Sequence, residues 1–271
     1  MQIAVIGHTG MGGKALTDLF ITRGHQVTGI SRSAKPDADR KGLTNVAADV
    51  FDTDRMTEVL GGHDAVVSMY SGGHEVDLEV YYRQAEGTRR LIKAFRQAQG
   101  RYLLYVGGAA SLYVKPDVQM FDDERFPSWY FGIMPAEHLH WLAEITGIGF
   151  FHDAAKRKEN GTIAPGHTDL ELEEFVSGWG RVPLLEGCRM ALDLFEGRTD
   201  FAWSFLSPPW LYRPGPGTGH YRTGVDYMIF DEGIPSGIAL PDLALAVADE
   251  VERQEFSHRH WTVAGPLDAK G

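Results

Sequence analysis

Short apolar runs alternate with amphipathic stretches over the first part of the chain. Residues 2–7, Gln-Ile-Ala-Val-Ile-Gly, form an apolar β-branched run long enough for a buried strand. Residues 14–23 carry Leu16, Leu19 and Phe20 at i, i+3 and i+4, the spacing of one helix face. Gly24 and His25 close that helix, and residues 26–30 read as a second strand. The same reading predicts strands over 45–50, 64–70 and 101–112 (the last with its exit loop), and helices over 52–60 and about 76–99. On the long helix, Leu78, Tyr82, Ala85, Leu91, Ile92 and Phe95 are the expected core contacts, with Gly100 as its stop. Strand alternating with helix predicts an α/β fold, a doubly wound parallel sheet.

Between the first strand and the first helix lies Gly7-His-Thr-Gly10-Met-Gly-Gly13. Gly7 lets the chain turn sharply out of the strand, Gly10 lets backbone approach an anion closely, and Gly13 lets the helix sit tight on the sheet. An anion placed there meets the free N–H groups and positive end of the helix. Strand, glycine turn, helix, strand is the opening of a dinucleotide-binding domain, provided the glycines are not incidental to an ordinary turn.

The second strand runs into Ser31-Arg32-Ser33. A site for NAD usually places a carboxylate near here, for the ribose 2′-hydroxyl. Hydroxyls and a guanidinium suit a 2′-phosphate instead, so NADP(H) is expected in preference to NAD(H). Lys35 adds charge nearby, although Arg32 and Lys35 would look the same in a solvated loop.

Composition narrows the classes. The chain has 271 residues, 43% of them hydrophobic, which suits a single domain over 1–271 with a lid-like insertion at about 113–198. A net charge of −11 argues against a nucleic-acid partner, which calls for a basic stripe. No run of 18 apolar residues is present, so no membrane span is expected. Met1 leads straight into the first strand, and Cys188 is the single cysteine; a cytoplasmic location follows as an expectation.

The glycine spacing, with Thr9 before the second glycine, resembles that of the extended and atypical short-chain dehydrogenase/reductases. Tyr105-Val-Gly-Gly-Ala-Ala-Ser-Leu112 is similar to the strand-end motif of the atypical members that are NAD(P)H-binding and NADH-flavin-reductase-like, relatives of the NmrA-like proteins. Further resemblances are Phe201-Ala-Trp-Ser-Phe-Leu-Ser-Pro-Pro209, then Pro214-Gly-Pro-Gly-Thr-Gly-His-Tyr-Arg222 and the strand after it. The helix within 238–251 and the final strand, 260–263, complete them in the family's order. The resemblance implies a Rossmann-type sheet with a small C-terminal substrate-side region, and a nicotinamide cofactor. It also implies a flavin, quinone or small conjugated carbonyl as acceptor. Carried over, the cofactor positions are Gly7, Thr9, Gly10, Met11, Gly13, Arg32, Asp49, Val50, Tyr70, Gly72, Gly107 and Gly108, to which Ser31 adds a hydroxyl. Asp49 is either an adenine neighbour, as the family implies, or a helix N-cap.

Two departures matter. The stretch from Leu112 to Thr199 exceeds what the family needs and is rich in Trp and His. It is expected to form a lid over an aromatic or conjugated small molecule, or a surface for a homodimer. Helices over 136–145 and 183–195 are the candidates to flank the site. The Tyr-x-x-x-Lys pair of typical short-chain dehydrogenases, in which the ammonium lowers the phenol pKa, is absent from the sequence. Ser111, Tyr113 and Lys115 could share one side of extended backbone and stand in for it; otherwise they belong to a plain exit loop. His138 is a candidate acid/base in the lid. His138 and His140 diverge by about 200° on a helix, so no metal site is expected from them. The leading expectation is an NADPH-dependent oxidoreductase. A cofactor-binding sensor, or an isomerase or dehydratase on the same fold, is the alternative.

Overall fold

A computed structural model describes residues 1–35, 38–73, 77–164, 167–179 and 182–266. The central eight-stranded sheet takes β1 (Gln2–Ile6), β2 (Gln26–Ser31), β3 (Leu43–Ala47), β4 (Ala65–Ser68), β5 (Tyr102–Val106), β6 (Ala202–Ser207), β7 (Arg222–Val225) and β8 (Arg259–Ala264). Their order is β7-β8-β6-β5-β4-β1-β2-β3, all parallel except the edge strand β7. Order reverses between β1 and β4, the switch point at which doubly wound sheets open a crevice beyond the strands' carboxyl ends.

Alternate residues of each strand feed two cores, which is why the strands read as unbroken apolar runs. On one face α1 (Met11–Thr22) and α9 (Leu240–Arg253) bury Leu16, Phe20, Leu243 and Val247 against Ile3, Val5, Val67 and Leu104. On the other, α2 (Thr53–Leu60), α3 (Leu78–Gln97) and α8 (Pro183–Asp193) bury Met56, Leu91, Phe95 and Leu192 against Ala4, Ile6, Leu103 and Tyr105. Each such side chain contributes about 1.5–3 kcal/mol. Among the described residues, no helix is long and apolar enough to cross a membrane.

Several expected boundaries move. Helix α1 starts at Met11, not residue 14, so Gly12 and Gly13 lie in its first turn, where weak helix formers hide the start from periodicity. Strand β3 ends at Ala47, and the N-cap of α2 is Asp52, which accepts from Arg55 N at 3.0 Å; Asp49 instead accepts from Phe51 N. Residue 76, the expected start of the long helix, lies outside the described residues, and Asp77 caps α3. Leu78 and Tyr82 are 80% and 52% exposed; Val80, Gln84 and Thr88 occupy the buried face instead. Ile238 belongs to a short strand, Gly237–Ala239, that pairs with Leu211–Arg213 rather than to α9.

The stretch between β5 and α8 folds into an additional layer. A hairpin of Tyr113–Lys115 and Val118–Gln119 is followed by α4 (Ser128–Gly132), α5 (Ala136–Thr146), α6 (Gly149–Glu159) and α7 (Leu170–Ser177). Phe131, Leu139, Phe151, Leu172 and Val176 give it a core of its own. Arg157 of α6 pairs with the buried Asp169, which also caps α7.

Candidate cofactor and substrate site

Close backbone packing shapes the glycine loop. Gly7 has φ +77°, and a Cβ there would lie 2.8 Å from the Met69 carbonyl oxygen. A Cβ on Gly13 would stand 2.2 Å from the Gly7 carbonyl oxygen, so only glycine lets α1 meet β1 this closely. Gly10 is the N-cap of α1 and provides no side-chain cap, which leaves the first-turn amides to an anion. His8, between them, is buried against Gly29 and bonds Asn45 Oδ1 through Nε2 at 2.8 Å.

At the ends of β2 and β4 three predicted residues converge. Tyr70 donates its hydroxyl to the Arg83 carbonyl at 2.8 Å, and its ring fits because residue 87 is glycine. Burial, and then the Asp49 carboxylate, push the Tyr70 phenol up to about 12, with Arg32 and Arg83 pulling the other way. Arg32 and Asp49 are therefore both within electrostatic reach of Tyr70. Ser31 Oγ is buried with no hydrogen-bond partner among the described residues, beside the exposed Arg32. A buried unpaired hydroxyl, an exposed guanidinium and a glycine cradle fit a nicotinamide dinucleotide.

Gly7, Gly10, Met11, Gly13, Tyr70, Gly107 and Gly108 line one side of a cavity of about 540 Å³. Phe131, Met134, His138, Trp141, Trp179, Trp210 and Tyr212 line the other. Gly107 passes over the Phe205 ring, where a Cβ would lie 2.4 Å from a ring carbon, and Gly108 abuts Cys188 Sγ. Gly72 stands behind the wall: its N–H donates to Gln84 Oε1 at 2.6 Å, and Gln84 Nε2 donates to the Tyr105 hydroxyl. Thr9 is exposed beside the loop, and Val50 is buried in the α2–α3 core.

The hydroxyl–lysine cluster does not assemble at the cavity. Residues Ala109–Ser111 form a 3₁₀ turn and a bulge falls between Tyr113 and Lys115, so the alternation that would align the three side chains is lost. Ser111 is fully buried, donates to the Gly108 carbonyl at 2.8 Å and contacts Ser207 Oγ at 2.8 Å. Ser207 Oγ continues to His260 Nε2 at 2.9 Å. Tyr113 leans on Tyr227, and burial and the carboxylates of Glu196, Asp226 and Asp193 raise its phenol; Lys115 is exposed. His138 does reach the cavity wall, buried on α5. His140 leaves the helix the other way, toward His152 (Nδ1 to Nδ1, 2.8 Å) and Glu159.

Sequence reasoning missed Gln84, Trp210, Tyr212 and Cys188 as wall residues. Trp210 is fixed by donating Nε1–H to the Tyr130 carbonyl at 2.7 Å. Burial pushes the Tyr212 phenol up to about 12. Pro208-Pro209 ahead of them, a forced exit from β6, was the available signal.

Residues 7–140 match the model of a family described as NAD(P)H-binding. That stretch holds the glycine loop and the ends of β2 and β4. The chain is similar along its length to the Bacillus subtilis protein YwnB, at 27% identity over 99% of this chain and 100% of that one. A structure from Bacteroides thetaiotaomicron, provisionally assigned as an epimerase, matches at 25% identity and TM-score 0.70, covering 100% of this chain and 99% of its own. One from Streptococcus pneumoniae, provisionally assigned as an NADH-flavin reductase, has the same fold at 22% identity and TM-score 0.69, covering 98% and 100%. Such neighbours carry different reaction names on one fold, so the reaction of this protein is argued from its own cavity.

Proposed function

We propose that the protein is an NADPH-dependent reductase of a flat conjugated acceptor such as a flavin, a quinone or a conjugated carbonyl compound. One observation carries this reading: the glycine loop and the aromatic layer are two walls of a single cavity. The amides at 10–13 hold a pyrophosphate, Ser31 and Arg32 take the 2′-phosphate, and Tyr70, Gly107 and Gly108 flank the nicotinamide end. When bound, the cofactor supplies a hydride. The aromatic wall excludes water and holds the acceptor's ring face against that end. His138, on the cavity wall, is the proposed group to hold a proton at an acceptor carbonyl or ring nitrogen. Tyr212, with its phenol held up to about 12, stays protonated at neutral pH and donates a hydrogen bond only.

The test is a titration with NADPH and with NADH, read by energy transfer from the tryptophans, followed by NADPH oxidation in the presence of acceptors. Wild type should bind NADPH at least about tenfold more tightly than NADH. Arg32→Ala should reduce NADPH affinity by about 10–100-fold and bring the preference toward unity, since a charge-assisted contact is worth about 1.5–3 kcal/mol. Binding of neither nucleotide would overturn the reading, and binding with no acceptor reduced would favour a sensor.

A further inference from the structure

Charge is zoned along the cavity. At the glycine loop, backbone amides and a helix N-terminus are available to an anion. The wall beyond it offers none of this. Among the described residues that line the cavity, none is Asp, Glu, Lys or Arg. The phenol of Tyr212 and the thiol of Cys188 are both pushed up to about 12 by burial, so neither carries charge at neutral pH. His138 is the one histidine among the described lining residues.

That wall is also rigidly aromatic. Phe131 meets Trp210 edge-on at 5.3 Å and 80°, and Trp179 at 5.7 Å and 67°. Trp141 meets Tyr212 at 5.6 Å and 70°. Rings held by one another present fixed faces, which favour a flat fused-ring partner by stacking and area. An anionic substituent drawn into the same space would lose its water with no cation among the described lining residues to replace it. The chain's net charge of −11 adds a general field against a second anion at the mouth.

From this zoning we infer that the acceptor is an uncharged fused-ring molecule, and that the cavity rejects the same ring system when it carries a phosphate. The inference rests on the reductase reading only for the word acceptor; the selectivity belongs to the wall itself.

Lumiflavin, riboflavin and FMN share one isoalloxazine ring and differ in side chain and phosphate. Titrated into the full-length protein saturated with oxidised NADP, and read by flavin fluorescence, the two uncharged flavins should bind at least about thirtyfold more tightly than FMN. Thirtyfold corresponds to about 2 kcal/mol. Ile145, half-buried on the wall near the end of α5, allows a converse test. Ile145→Lys places an ammonium there and should narrow the riboflavin-to-FMN ratio by at least about tenfold, a charge pairing of about 1.4 kcal/mol. Equal affinities, tighter FMN binding, or no binding of either uncharged flavin would overturn the inference. NADPH oxidation, measured in parallel, reports on the reductase reading separately. Selective binding without oxidation would leave the neutral-ligand inference standing and sink that reading. Equal turnover of riboflavin and FMN would do the reverse.

Discussion

Gly13→Ala is expected to weaken NADPH binding by at least about a hundredfold, or about 2.7 kcal/mol, and to destabilise the fold by about 1–3 kcal/mol. The added methyl would sit 2.2 Å from the Gly7 carbonyl oxygen and 2.8 Å from the His8 Cα. Both neighbours are backbone, so no side chain can swing aside. Relief requires α1 to lift away from β1, and that carries the first-turn amides away from the pyrophosphate. Gly61→Ala is the control. Gly61 has φ −61°, and a Cβ there meets its nearest neighbour at an ordinary 3.5 Å, so its effect should stay within about 0.5 kcal/mol. Urea unfolding and nucleotide titration of both variants check the pair. Wild-type affinity and stability in Gly13→Ala would refute this account of the loop.

Asp169→Ala is expected to cost about 3–5 kcal/mol within the additional layer. The carboxylate side chain is 1% exposed, and its Oδ2 accepts from Arg157 Nε at 3.0 Å and pairs with Nη2 at 2.9 Å. Its Oδ1 accepts from Leu172 N at 3.2 Å, capping α7. Truncation removes that cap and leaves the largely buried Arg157 with the exposed Glu171, at 3.3 Å, and the Phe150 ring, at 5.3 Å. The layer has its own core, so it should open while the sheet persists. Limited proteolysis should then cut within α4–α7 at urea concentrations where the sheet is intact, and flavin or quinone binding should fail before NADPH binding does. Asp169→Asn, which can still cap α7, should fall between the two. A single coincident unfolding transition, with both ligands lost together, would show that the layer is not separable.

The sheet was legible because its strands are buried on both faces, and β-branched runs between glycines have few other readings. The start of α1 was not, since Gly12 and Gly13 carry no periodic signal although they form its first turn. On α3 hydrophobicity misled: Leu78 and Tyr82 face solvent, while Gln84 and Thr88 are buried. Their polar atoms bond the Tyr105 hydroxyl, 21 and 17 positions away, a partner that no local pattern reveals. The glycine loop was legible because its glycines sit at fixed offsets from β1. On the acceptor side the aromatic content was visible, but the approach of Trp210 and Tyr212 was not. It depends on a short parallel pairing of 211–213 with 237–239. The Ser111–Lys115 reading failed on parity alone, through one 3₁₀ turn and one bulge.

The two ends of the cavity rest on different cores. The glycine loop leans on the packing of α1 and α9 against the sheet, whereas Phe131, Trp179 and Trp210 belong to the separate cluster of the added layer. Substitutions in that layer can therefore change what is bound without disturbing how the nucleotide is held. A lineage built this way can exchange one small-molecule specificity for another by drift in a single segment. Neighbours sharing the whole fold, with names as unlike as epimerase and flavin reductase, are what such a division of labour would leave behind.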